Sequence, residues 1–534
     1  MATIPQQQRA VQLVGPDKLE LNLTKPVFEP GPHQILAKVE VAGLCFSDLK
    51  LLKQFSHHVR KTPVTAGLTT KTLSEMPNYV PGGKPVVPGH ETVVRIVETG
   101  PEVTRHKVGD RVLVQTDYRW LPTATSNAAF GYNFEGALQE YVLMDERVVI
   151  SPEGESMLIP VPEDISSSAL ALVEPWACVE RAYVEEQRQT LKPGGRLLVT
   201  GDKPVNEEML RTLHRPPGIA DFVEPGRIAS LDDGTYDDIV YFGSTAEVVE
   251  SLFPKLAPHG LMVVALCGGR FARAVVTPVG RVHYGGIRIV GTAGGDPAEA
   301  LKAIPATVEI RQGDKITIVG AAGPMGTMHV IRDLCQGVPE VKVFAGDINP
   351  GRLDMLSKLA EPQAQKNKLT LEVYDATKEN RGKDFDYEVL MVPVPALVAQ
   401  AVTDAAPDAV INIFAGIAAD KTAELDLNAY ADKRLYFVGT SGSSIDDMRL
   451  VLSKVVSRQL DTDLSVAAVS GLDGAIDGLR AVEQNAMLGK ILVYPSCRGL
   501  PLTPLTELEG KVPLDHGTWN RQAEQTLLKR YQEP

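Results

Sequence analysis

Residues 315–347 constrain this chain more tightly than any other stretch. Residues 316–319 (Ile-Thr-Ile-Val) are a β-branched run of the kind that forms a buried strand. The run passes directly into Gly320-Ala321-Ala322-Gly323-Pro324-Met325-Gly326, a turn of small residues. A helical segment follows at 327–334, then a second apolar strand at 341–344 that leads to Asp347. Strand, glycine turn, helix, strand and acid is the order a dinucleotide requires. Glycines let backbone N–H groups approach a pyrophosphate at a helix N-terminus, and the carboxylate receives ribose hydroxyls. Gly320, Gly323, Pro324, Met325 and Gly326 are therefore the expected cofactor-binding turn, with Ala321 standing where a first glycine is usual. Asp347 at the end of the second strand favours NAD(H) over NADP(H), because a carboxylate repels a 2′-phosphate. Arg352, five residues on, is the nearby cation that offsets that preference.

At 534 residues the chain exceeds one ordinary core, so several domains are expected. Its 54 basic and 67 acidic residues leave a net charge of −13, which argues against nonspecific nucleic-acid binding. No apolar run is long enough to span a bilayer, and the opening residues lack the pattern of a secretion signal. The five cysteines, at 45, 178, 267, 335 and 497, are scattered and never form a CxxC pair. They point to a reducing, cytoplasmic setting without a disulfide framework.

The first 40 residues alternate short β-like runs with turns, and Gly43-Leu44-Cys45-Phe46-Ser47-Asp48 follows them. A polar insert spans roughly 56–84 and carries Arg60, Lys61, Lys71 and Lys84. Then come Pro88-Gly89-His90-Glu91, Val108-Gly109-Asp110-Arg111-Val112, Gly136-Ala137-Leu138-Gln139-Glu140-Tyr141 and Glu174-Pro175. Leu488-Gly489-Lys490-Ile491-Leu492-Val493-Tyr494-Pro495 lies near the other end. In this order the motifs resemble the catalytic domain of the medium-chain, zinc-dependent alcohol dehydrogenases. The Glu174-Pro175 element leans toward the polyol (sorbitol dehydrogenase-like) branch, and the 322–326 turn resembles sorbose 1-phosphate reductase-type members.

That resemblance implies an α/β fold: a GroES-like β-barrel catalytic domain with a doubly wound parallel-sheet dinucleotide-binding domain. It implies one catalytic zinc held by Cys45 and His90, with Glu91 and Glu174 as the carboxylate candidates; the sequence does not order those two. Ser47 stands where the family's proton relay begins. Asp48 is expected to accept from His90 and fix its tautomer, or to cap the helix that follows. Lys50 replaces a relay histidine common in the family. The four close cysteines of a structural zinc are missing from 117–132, so no second metal is expected. His57, His58, His106, His259 and His329 have no such support and read as structural or solvent-facing.

The chain also departs from the family in length, between 186 and 300. Residues 191–201 begin like a first strand, but Asp202-Lys203-Pro204 replaces the glycine turn. Later segments repeat: 236–240 is echoed at 385–389, and 287–292 at 434–440. Two tandem α/β lobes follow from these echoes, the first degenerate and given packing or interface duties. The expected division is 1–185 (completed by 466–534), 186–300 and 301–465, with a short amphipathic helix closing the tail.

The function implied is hydride transfer between NAD(H) and a secondary alcohol or ketone of a polyol, sugar or sugar phosphate. A zinc-free quinone or enoyl-type reductase on the same fold, and a noncatalytic dinucleotide sensor, are the alternatives. Partners implied are a small-molecule substrate and further copies of the chain (dimer or tetramer), with no nucleic acid or membrane.

Overall fold

The computed structural model describes residues 4–213, 218–379, 382–440 and 442–531. The chain packs as two compact units. One is built from both ends, 1–177 with 443–534, and the other from 178–442.

In the first unit the strand Gln34–Gly43 is the hub. It pairs antiparallel with Glu91–Thr99 and with Tyr141–Asp145, and its last residues pair antiparallel with Lys490–Val493, near the far end of the sequence. Arg111–Val114 and Leu158–Pro160 extend the sheet on one side, Val466–Ser470 and Thr503–Pro504 on the other. The side chains that close the barrel, among them Val39, Val41, Val93 and Leu492, are almost wholly buried. Each stabilises the fold by roughly 1.5–3 kcal/mol relative to exposure. The helix Phe46–Gln54 sets Leu49, Leu51 and Leu52 into a separate core with Leu13, Val86 and Tyr132. The tail helix Arg521–Tyr531 packs into this same unit. Its Glu524 is buried, and the carboxylate takes the backbone N–H groups of Ser167 and Ser168, each at 2.8 Å.

The second unit holds two wholly parallel sheets. The first runs in the order Ile219–Phe222, Arg196–Gly201, Tyr236–Phe242, Leu256–Ala265, Arg288–Thr292. The second runs Thr370–Asp375, Lys342–Asp347, Lys315–Val319, Phe385–Leu390, Ala405–Ile413, Tyr436–Val438. Their near-continuous apolar runs follow from burial on both faces. The second order is that of a doubly wound dinucleotide fold, with its switch point between Lys315–Val319 and Phe385–Leu390. The tandem echo in the sequence thus corresponds to two sheets, and one hydrophobic cluster draws residues from both.

Candidate functional site

Strand register assembles the first site. Gly43 lies opposite Glu91 on one side and opposite Leu492 on the other. Cys45, two residues past Gly43, is thereby brought beside His90 and Glu91. A glycine is required at 43, since a Cβ there would lie 2.2 Å from Glu91 Oε2. Among the described residues, Cys45, His90 and Glu91 form the group of potential ligands whose atoms lie within 4.8 Å of one another. Glu174, in the first turn of the helix Val173–Val184, stands outside that group. It is close enough for the charges of His90 and Glu91 to act on it, and burial pushes its carboxyl up to about 7.

The donor set fits a catalytic zinc. Glu91 Oε1 accepts from the buried Lys490 ammonium at 2.6 Å, while Glu91 Oε2 is buried with no partner. A bare carboxylate oxygen in such surroundings is costly unless a cation satisfies it. His90 Nδ1 lies 3.1 Å from Asp48 Oδ1, so a proton on Nδ1 leaves the Nε2 lone pair as the ligand. Burial opposes protonation of this ring, but Asp48 and Tyr132 outweigh it and the net shift is upward. Ser47 Oγ is 3.1 Å from His90 Nε2. The helix starts at Phe46 with Cys45 as its N-cap. Asp48 therefore acts from inside the first turn, taking the Cys45 N–H on Oδ2 at 3.1 Å. Of the two duties expected of Asp48, the contact with His90 is present on Oδ1, whereas the N-cap place belongs to Cys45 because the helix begins three residues earlier than a cap at 48 requires. Lys490 was not foreseen as a site residue. Its signal was a lysine leading straight into the apolar run Ile491-Leu492-Val493.

Beside these residues lies an aromatic and basic wall. The Tyr132 ring is 5.7 Å from His90 and 5.0 Å from His58. Arg60 stands over Tyr132 at 5.6 Å and pairs with Asp117 at 2.6 Å. His58 is buried, and burial with the charges of Arg60 and Lys50 lowers it to about 4. This neutral ring stands near the site, and no spacing rule singled it out. Lys61 is turned inward, donating to the carbonyls of Val80 and Lys84.

The second site is the turn that closes the strand Lys315–Val319. Gly320 takes φ +82°, and a Cβ there would meet Val392 at 2.6 Å. Gly326 approaches the Gly320 carbonyl so closely that a Cβ would lie 2.4 Å from it. Gly323 is the N-cap of the helix Pro324–Cys335, with Pro324 at the first helical position. Met325 stands beside it, half-buried. Asp347 Oδ2 accepts from the Ala322 N–H at 3.1 Å, and its other oxygen takes the N–H groups of Ile348 and Asn349. The Arg352 N–H is held by Asn349 in the first turn of the next helix. In the first sheet the equivalent place is filled by protein. Asp202 accepts from the Ser244 N–H at 2.8 Å and from the Tyr241 hydroxyl, and occupies the space above Gly243.

Comparison with known proteins agrees with this reading of the fold. Residues 31–153 match the alcohol dehydrogenase GroES-like domain. The chain is 30% identical over 232 residues to L-sorbose 1-phosphate reductase of Klebsiella pneumoniae, covering 41% of this chain and 56% of that protein. It is 26% identical over 192 residues to sorbitol dehydrogenase of Halalkalibacterium halodurans, covering 34% and 46%. The matched length is thus about half of these relatives or less. The crystal structure of 2R,3R-butanediol dehydrogenase from Bacillus subtilis superposes with a TM-score of 0.54 at 18% identity, covering 91% of this chain and 99% of that one. The chain has the GroES-like and parallel-sheet fold of the medium-chain dehydrogenases. Its resemblance is to the zinc-dependent alcohol dehydrogenases, on their polyol dehydrogenase-like side.

Proposed function

We propose that the chain is a zinc-dependent oxidoreductase that transfers a hydride between NAD(H) and the secondary alcohol or ketone of a polyol, sugar or sugar phosphate. The observation that carries this reading is the convergence of Cys45, His90 and Glu91 around an unpartnered, buried carboxylate oxygen. Cys45 Sγ, His90 Nε2 and Glu91 Oε2 would hold the metal, and Asp48 orients His90. When bound, zinc polarises the substrate oxygen and lowers the alcohol pKa. Ser47 is the hydroxyl that would begin the proton relay, accepting the alcohol proton as it passes its own onward. Glu174, with a carboxyl near neutrality, is the second carboxylate available to the site. The 320–326 turn receives the pyrophosphate and Asp347 the ribose, with Arg352 nearby, which supports NAD(H).

The names of the relatives support polyols and their phosphates as the substrate class. Arg60 is a cation over the Tyr132 ring, and a substrate phosphate would have to compete there with Asp117. Unphosphorylated polyols are accordingly the first substrates to screen. Among the described residues no helix is long and apolar enough to cross a membrane, and the scattered placing of the five cysteines in the sequence supports a reducing, cytoplasmic setting.

The test is zinc per chain by elemental analysis, with NAD-linked turnover on polyols and polyol phosphates, for wild type and Cys45→Ala. The expected result is about one zinc and measurable turnover in wild type, with both lost in the variant. Absence of bound zinc from protein prepared with zinc supplied throughout would overturn the proposal. It would favour the zinc-free reductase if turnover persisted, and the dinucleotide sensor if it did not.

A further inference from the structure

The last part of each parallel sheet is built from the same three elements at a constant spacing. Val275–Thr277, Val279–Tyr284 and Arg288–Thr292 complete the first. Ala423–Leu425, Leu427–Asp432 and Tyr436–Val438 complete the second. Each element of the second set starts 148 residues after its counterpart, 275 to 423, 279 to 427 and 288 to 436.

The two sets pack on each other reciprocally. The short strands pair antiparallel with Val275 opposite Leu425, Thr277 opposite Ala423 and Val276 opposite Glu424. At the 148-residue spacing Val276 faces its own counterpart, so a local twofold axis passes through that pair. The helix Leu427–Asp432 lies on the strand Arg288–Thr292, and the helix Val279–Tyr284 on Tyr436–Val438. The close approaches obey the same symmetry. A Cβ on Gly291 would meet Ala431 at 2.9 Å, and a Cβ on Gly439 would meet His283 at 2.9 Å. Here 291 and 439 are counterparts, as are 283 and 431. Val279 with Leu427, and Ile289 with Phe437, are fully or almost fully buried in one shared cluster. Contact of i with j and of j with i is the mark of an isologous interface, and its buried apolar centre is that of an obligate one.

We infer that the first lobe is a built-in partner. It covers, within one chain, the sheet end that a second copy of the complete lobe would otherwise occupy. This gives the lobe without a phosphate-binding turn a defined duty: it need bind no dinucleotide, and it closes an apolar edge that would associate if bare. The chain therefore does not pair with another copy through this edge, and each internal pair contains one complete dinucleotide turn. The homo-oligomer implied by family resemblance is replaced at this surface by an intrachain contact.

The test uses the full chain as V276C, E424C and the V276C/E424C double variant. Both positions lie at the surface of a strand pair directly opposite each other, within reach of a disulfide or short bismaleimide. After crosslinking, peptide mass spectrometry and sedimentation would be read together. The expected result is a 276–424 crosslink inside one 57.7 kDa chain, with E424C alone giving no covalent dimer. A dimer in which 276–424 still closes within each chain places that association elsewhere and supports the inference. Covalent dimers formed by E424C alone would overturn it, because residue 424 would then lie on an axis between two chains. A double variant that fails to close internally would overturn it as well.

Discussion

At the scale of single residues the proposed metal site would depend on how one imidazole is held. Asp48 takes the Nδ1 side of His90 and leaves Nε2 toward Ser47. An outer carboxylate of this kind raises ligand basicity, and its loss typically weakens metal binding 10–100-fold. Asp48→Ala should lower zinc affinity by about that factor in a chelator competition. Asp48→Asn, which keeps an acceptor for Nδ1–H, should recover part of the loss. Equal affinities for Asp48→Ala and wild type would remove Asp48 from the positioning role. Glu91 illustrates a different constraint. Its ion pair with Lys490 is buried on both sides, and removing either partner would strand a charge, typically at a cost of about 3–5 kcal/mol.

At the scale of elements the decisive piece is the turn between the strand Lys315–Val319 and the helix Pro324–Cys335. Its glycines are there because the chain crosses itself: Gly326 must pass within contact distance of the Gly320 and Ala321 carbonyls. Gly326→Val would force the helix start away from the strand end and spoil the cradle of N–H groups. NADH affinity, followed by fluorescence titration, should fall at least tenfold while far-ultraviolet circular dichroism stays unchanged. Undiminished binding would mean that the dinucleotide does not use this turn. The first lobe offers the contrast. There Asp202 satisfies the Ser244 N–H from within the protein, leaving the same crevice filled.

At the scale of the whole molecule the unit built from both chain ends is closed by groups far apart in sequence. Asp463 is fully buried and held by Ser166 at 3.0 Å, with Asp461 and Glu524 adding like charge nearby. Burial first, and then those carboxylates, push it from 3.8 up to about 8. A carboxyl raised on folding favours the protonated state. Its contribution to stability is complete below about pH 4 and is lost as pH rises toward 8. On the scale of 1.36 kcal/mol per pKa unit the loss is at most about 6 kcal/mol. Asp463→Asn should be insensitive in this window, so denaturant melts at pH 5 and pH 8 should diverge for wild type more than for the variant. Parallel pH profiles would show that Asp463 does not carry the effect.

What the sequence determined by itself is local in origin. The β-branched run, the small residues of the 320–326 turn and Asp347 specify strand, turn, helix and strand through contacts a few residues apart. The set Cys45, Ser47, Asp48, His90 and Glu91 was legible because motif order survives in the chain. The tandem echoes foretold two sheets for the same reason, since each strand carries its own pattern. The tertiary structure alone separated Glu91 from Glu174, because only register across Gly43 places one carboxylate against Cys45 and leaves the other outside. It alone paired Lys490 with Glu91 across 399 residues, and set Gly291 and Gly439 against reciprocal partners. The tail helix likewise proved to seal its own unit through Glu524. These are contacts between distant segments, made by strand register and packing, and no local pattern in the chain encodes which distant residue will fill a given space.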